Sequence, residues 1–107
     1  MWSEKLQLYD TFIQKHESFN RRGNSMPHTV ANGYMFSQLN KLGEIGLRFS
    51  PERCRELITL WDSKPFKAYG AVMRGYVVVP ENILNNSKLM QALFSESHAY
   101  VLSLPSK

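Results

Sequence analysis

The chain has 107 residues, 43% of them apolar and 21% charged, with a formal net charge of +4. That is one domain, residues 1–107, with room for one modest core; no apolar run nears the ~18–20 residues of a membrane helix. The first ten residues mix acids with apolar side chains and show no cleavage pattern, so no secretory leader is expected. A single cysteine, Cys54, forms no internal disulfide and fits a reducing compartment, so the expected location is cytoplasmic.

Residues 3–18 carry a helical stripe of Leu6, Tyr9, Ile13 and His16, widened by Leu8 and Phe12. Ser3 suits its cap and Glu4 its positive end, with Trp2 ahead of the helix. Asn20 to Gly23 reads as the helix exit and a loop. A β region follows, with strands over 26–31 and 34–39. Asn32-Gly33 between them is the strongest hairpin signal in the chain, because both central residues of a type I′ turn need positive φ. Asn40 to Gly43 reads as a second reversal. Residues 44–49 form a third strand, in which Ile45, Leu47 and Phe49 alternate with Glu44, Gly46 and Arg48 and give one apolar face.

Ser50-Pro51-Glu52 is a helix start: serine caps, proline loses nothing at the first helical position, and glutamate meets the dipole. Cys54, Leu57, Ile58 and Trp61 then recur at helical spacing, until Pro65 blocks continuation. Two more strands, 66–69 and 76–79, flank a Gly70 to Gly75 connection. Pro80 and Asn82 lead a short helical turn. Asn86 or Ser87 caps a last helix through Leu102, with Leu89, Met90, Leu93, Phe94, Ser97, Tyr100 and Val101 inward. The order α-β-β-β-α-β-β-α predicts an α+β fold, a five-stranded antiparallel sheet with helices packed mainly on one face.

In that order, Met26-Pro27, Asn32-Gly33, the run Leu47-Arg48-Phe49-Ser50-Pro51-Glu52-Arg53, Pro65-Phe66, Gly70, Met73 and Tyr76-Val77-Val78-Val79-Pro80 resemble the TfoX (Sxy) N-terminal domain family. The resemblance spans Leu6 to Leu104 and implies an α+β fold with a five-stranded antiparallel sheet. Full-length members regulate natural competence and carry a further C-terminal domain. This chain, ending at Lys107, resembles the stand-alone members. What the resemblance implies is a small regulatory or protein-interaction module without catalytic motif, so a protein partner is expected and no cofactor.

The residues themselves point the same way. His16, His28, His98 and Cys54 share no metal-ligand spacing, and Cys54 on an apolar stripe reads as a buried small hydrophobe. No nucleophile elbow, P-loop or dinucleotide fingerprint is present. The chain is therefore read as non-enzymatic. The charge is uneven: residues 21–80 hold nine bases against four acids, a local +5. Nucleic-acid binding through this basic middle segment is the alternative function, and a solvated surface the plainer reading. Arg21-Arg22-Gly23-Asn24 is the sharpest local feature, a pair of guanidiniums on a loop that could clamp a phosphate or carboxylate. Arg48 and Arg74, with Lys41, join it if the polar face of the sheet is open. The candidate anion- or partner-binding residues are thus Arg21, Arg22, Arg48 and Arg74. Tyr34 and Phe36 on one strand suggest base stacking, but core packing is the stronger use. Trp2 is expected in an exposed apolar patch that would favour a homodimer.

Overall fold

The computed structural model describes residues 2–107. Helix α1 (Trp2–Gln14) is followed by strands β1 (Arg21–Arg22), β2 (His28–Ala31), β3 (Tyr34–Leu39) and β4 (Ile45–Arg48). Helix α2 (Pro51–Trp61) leads to the hairpin β5 (Pro65–Ala68) and β6 (Ala71–Val78), and α3 (Glu81–Leu84) and α4 (Ser87–Leu102) close the chain. The six strands form one antiparallel sheet in the order β1-β2-β3-β4-β6-β5. The α+β class, the antiparallel pairing and the one-sided helices agree with the sequence reading.

Local chemistry explains the boundaries. Asn32 and Gly33 have φ of 56° and 82°, as a type I′ turn between β2 and β3 requires. The Ser50 hydroxyl accepts from the Arg53 backbone N–H at 3.2 Å, and Pro51 opens α2. Asn86 does the same for α4, accepting from the Leu89 N–H at 3.1 Å.

Three features depart from the expectation. Arg21-Arg22 is not a loop but a short strand, Arg21 opposite Thr29 and Arg22 opposite His28, so the sheet has six strands and not five. Helix α1 stops at Gln14 and includes Trp2, whose indole N–H donates to the Asn40 carbonyl at 2.9 Å; Trp2 is half-buried rather than part of an exposed patch. Strand β6 begins at Ala71, so the connection between β5 and β6 shrinks to the turn at Tyr69-Gly70.

The main core lies between the helices and one face of the sheet. Tyr9, Phe12, Phe36, Leu39, Ile45, Leu47, Leu57, Phe94 and Met90 are all nearly inaccessible. Each such side chain contributes roughly 1.5–3 kcal/mol on burial. A bulge shapes this face. Thr29 pairs with Ser37 but Val30 with Met35, which leaves Phe36 as the extra residue. Phe36 and Ser37 consequently both reach the helices. Phe36 packs edge-on against Phe19 at 5.1 Å, while the Tyr9 hydroxyl bonds Ser37 Oγ at 2.7 Å and Ser37 bonds Thr29 at 2.5 Å. Burial pushes the Tyr9 phenol far above its ordinary range. The buried Ser97 hydroxyl of α4 lies 2.9 Å from the Phe36 carbonyl and 2.6 Å from that of Arg48, tying the helix to two strands.

The other face carries a second, smaller core of Phe66, Ala68, Tyr76 and Val78, packed with Met26, Met35 and Met73. No helix covers it. The β5–β6 hairpin bends over the sheet instead, so that the Phe66 ring lies on Gly46 and the Lys67 carbonyl reaches Asn40 in the β3–β4 turn.

His16 and His98 flank Phe19, stacked at 4.2 Å and tilted at 4.7 Å. Burial lowers both imidazoles below their usual range, which favours their neutral forms, and His98, when protonated, would lower His16 further. The unfolded chain then binds more protons than the native one once pH falls below about 6.5. Stability is full above that value and is lost as pH falls toward the depressed folded values. The urea midpoint is expected to drop between pH 7.5 and 5.5, and a flat midpoint in the wild type contradicts the neutral pair. Glu44, whose folded value is also lowered, adds its loss only below the carboxylate range.

Candidate functional site

A cleft of about 600 Å³ opens where the bent hairpin meets the β3–β4 turn. Met26, Leu42, Ala68 and Tyr69 supply its apolar lining, and Lys41 and Lys67 its cations. Leu42 is 81% exposed and Tyr69 69% exposed, and both line this cleft.

Asn40, almost fully buried, builds the floor. Its Oδ1 accepts from the N–H groups of Leu42 at 3.1 Å and Glu44 at 2.9 Å. Its Nδ2 donates to Glu44 Oε1 and to the Lys67 carbonyl, both at 2.9 Å. One side chain therefore folds the turn and fastens the hairpin to it. Glu44 is held in turn by Lys64, Nζ to Oε2 at 2.8 Å. Burial raises the Glu44 carboxyl, but the hydrogen bonds from Lys64 and Asn40 and the charges of Lys64 and Lys67 outweigh it and leave it below the usual range. Lys41 and Lys67 have no ion pair among the described residues.

Tyr69 occupies the left-handed region, φ 56°, followed by Gly70 at 75°. Asparagine or aspartate fills the first position of such a turn at low cost; tyrosine stores of the order of 1 kcal/mol there. Its hydroxyl accepts from Gln38 Nε2 at 3.1 Å. Gln38 is wholly buried, and its Oε1 has no partner among the described residues. A strained, exposed aromatic ring thus stands over a buried amide with one pole unsatisfied.

The residues singled out from the sequence do not meet as one group: Arg21 and Arg22 lie on the β1 edge, Arg48 and Arg74 on β4 and β6. Arg21 is consumed by structure: Nε and Nη2 bind the two carboxylate oxygens of Asp10 at 2.9 and 3.2 Å, and Nη1 donates to the Gly23 carbonyl. Arg22 points from the opposite face of β1 and is exposed. Arg74 is exposed near the Gly75 bend of β6, and Arg48 is half-buried at the end of β4. The loop clamp of Arg21 with Arg22 does not form. Lys67, counted only as part of the basic balance, and Lys41, expected beside the arginines, both line the cleft instead. The signal in the chain was the Tyr69-Gly70 pair, a tight turn with an unsuitable first residue.

No group of three His, Cys, Asp or Glu side chains among the described residues is placed to hold a metal ion. Cys54 is buried, its thiol donating to the Gly75 carbonyl at 3.2 Å, and burial raises it above its ordinary range, the opposite of an activated nucleophile. Among the described residues no helix is long and apolar enough to cross a membrane. No family model, curated protein or solved structure matches the chain.

Proposed function

We propose that this chain is a non-enzymatic protein-interaction module whose working surface is the hairpin-tip cleft. The partner it fits is an extended segment with one large apolar side chain flanked by Asp or Glu. The carrying observation is Tyr69, 69% exposed yet held at φ 56° beside Leu42, Lys41 and Lys67. Backbone strain retained on an exposed aromatic is a mark of a contact residue. The two unpaired lysines supply the charge complement, which selects partners more than it adds affinity. A regulatory role exerted by contact is also what the TfoX resemblance implies. Direct nucleic-acid binding through the basic middle segment is the weaker reading, since Asp10 already neutralises Arg21 on strand β1.

Selection from a displayed peptide library tests this. Wild type is expected to enrich sequences with an aromatic or Leu next to Asp or Glu. Lys41→Glu/Lys67→Glu is expected to weaken those peptides by about ten-fold and to select basic flanks in their place. Enrichment unaffected by the charge reversal, or none at all, removes the cleft as the surface. A mass that rises with concentration and is abolished by Leu42→Glu would instead seat a second copy of the chain there.

A further inference from the structure

The other half-buried cations are neutralised. Arg21 binds Asp10, Arg53 binds Glu96 at 2.7 Å, and Lys5 binds Glu81. Arg48 is half-buried too, and no carboxylate pairs with it among the described residues. Its guanidinium carbon sits 5.3 Å from the centre of the Tyr34 ring and 6.0 Å from that of Tyr100. Its Nε is shut off from water and has no acceptor among the described residues. Desolvating one side of a cation without an acceptor is unfavourable, and ring faces compensate only in part.

The surroundings add charge of the same sign. Gly75 borders the Arg48 side chain, since a Cβ placed there would lie 3.7 Å from Cγ and Nε. Exposed Arg74 directly precedes Gly75 in β6, and exposed Arg55 directly follows Cys54, whose thiol bonds the Gly75 carbonyl. Neither Arg55 nor Arg74 has an ion pair among the described residues. The Tyr34 hydroxyl is fixed by donating to the Pro105 carbonyl, which holds its ring against Arg48. This corner closes β4, while the cleft borders its start.

We infer that Arg48, clamped by Tyr34 and Tyr100, is the receptor for a phosphoryl-type oxyanion, with Arg55 and Arg74 as flanking cations. The ring clamp restricts the fork, and its terminal nitrogens donate to two oxygens of the anion. The site is separate from the cleft and does not depend on the reading given to it.

The test is a titration of inorganic phosphate at constant ionic strength, followed by the arginine Nε–Hε signals in nitrogen–proton correlation spectra. The buried Arg48 Hε exchanges slowly and is identified by its absence in Arg48→Lys. It is expected to shift saturably in the wild type; the backbone amides of residues 48 and 75, followed in both proteins, are expected to report half-saturation weakened ~5-fold or more in Arg48→Lys, which keeps the charge and loses the fork. Arg55→Glu and Arg74→Glu, both at exposed positions, are expected to weaken it ~2–5-fold each. They decide the matter should Arg48→Lys fail to fold. A shift that is linear in phosphate, or that survives unchanged in Arg55→Glu and Arg74→Glu, overturns the proposal. A short single-stranded DNA run beside phosphate separates the sources. Saturation at lower strand than phosphate concentration assigns the phosphoryl group to nucleic acid, and the reverse order to a small phosphorylated ligand.

Discussion

Gly46→Ala is expected to lower the stability of the chain by about 2 kcal/mol, read as a fall in the urea midpoint at unchanged slope. The added Cβ would lie 2.4 Å from Cγ, 2.5 Å from Cδ1 and 2.8 Å from Cδ2 of Phe66. Real contacts do not approach that closely, so the ring must move. It is fully buried, in the small core shared with Ala68, Tyr76 and Val78, and has nowhere to go without tilting the hairpin. Removing a glycine from a strand favours folding by roughly 0.5–1 kcal/mol, and the overpacking is larger. Phe66→Leu frees space at the same point. In the double variant the two losses are expected to fall short of their sum by about 1 kcal/mol, the mark of a shared contact. Wild-type stability in Gly46→Ala would sink the account of the hairpin as a lid resting on this position.

The second large effect is at Asn40. Asn40→Ala removes four hydrogen bonds at once, two accepted and two donated. At about 1 kcal/mol each, less the water that reaches the exposed turn, the loss is expected to be about 3 kcal/mol. The local consequence is more specific than the global one. Without Nδ2, the Lys67 carbonyl is no longer held to the turn, and the walls carrying Lys41 and Lys67 drift apart. Peptides recovered by the wild type are expected to lose binding under conditions where the variant is still fully folded by circular dichroism. Hydrogen exchange should quicken first in residues 40–44 and 67–70. Undiminished peptide affinity in a folded Asn40→Ala would show that this side chain does not build the cleft.

Signals confined to a few neighbouring residues were legible in the chain. Asn32-Gly33, Ser50-Pro51-Glu52 and Asn86 specify their turn and caps through their own backbone preferences, and the helical stripes of α2 and α4 face the core as their spacing demands. What escaped was written in distant partners. Two residues carry no strand periodicity, and Arg21 is drawn to the sheet edge by Asp10, eleven positions earlier in another element. Residues 71–74 are mostly exposed, so β6 has no alternating pattern there and looked like loop. Gly46 read as the polar side of a half-buried strand. Its real neighbour, Phe66, arrives from a hairpin twenty residues on, which turned a face predicted to be polar into a second core. The cleft is a product of that same folding-over, and none of its lining residues announces the others.

The indole hydrogen bond from Trp2 to the Asn40 carbonyl has a practical side. The chain has two tryptophans, and the other, Trp61, ends α2. Trp61→Phe leaves a single fluorophore whose N–H is wired to the residue beneath the cleft. Emission from that indole responds to the strength of the hydrogen bond and to the rigidity of its acceptor. A guest that tightens the turn alters both, so this variant carries its own optical gauge of occupancy, and association can be followed in free solution without attaching a dye.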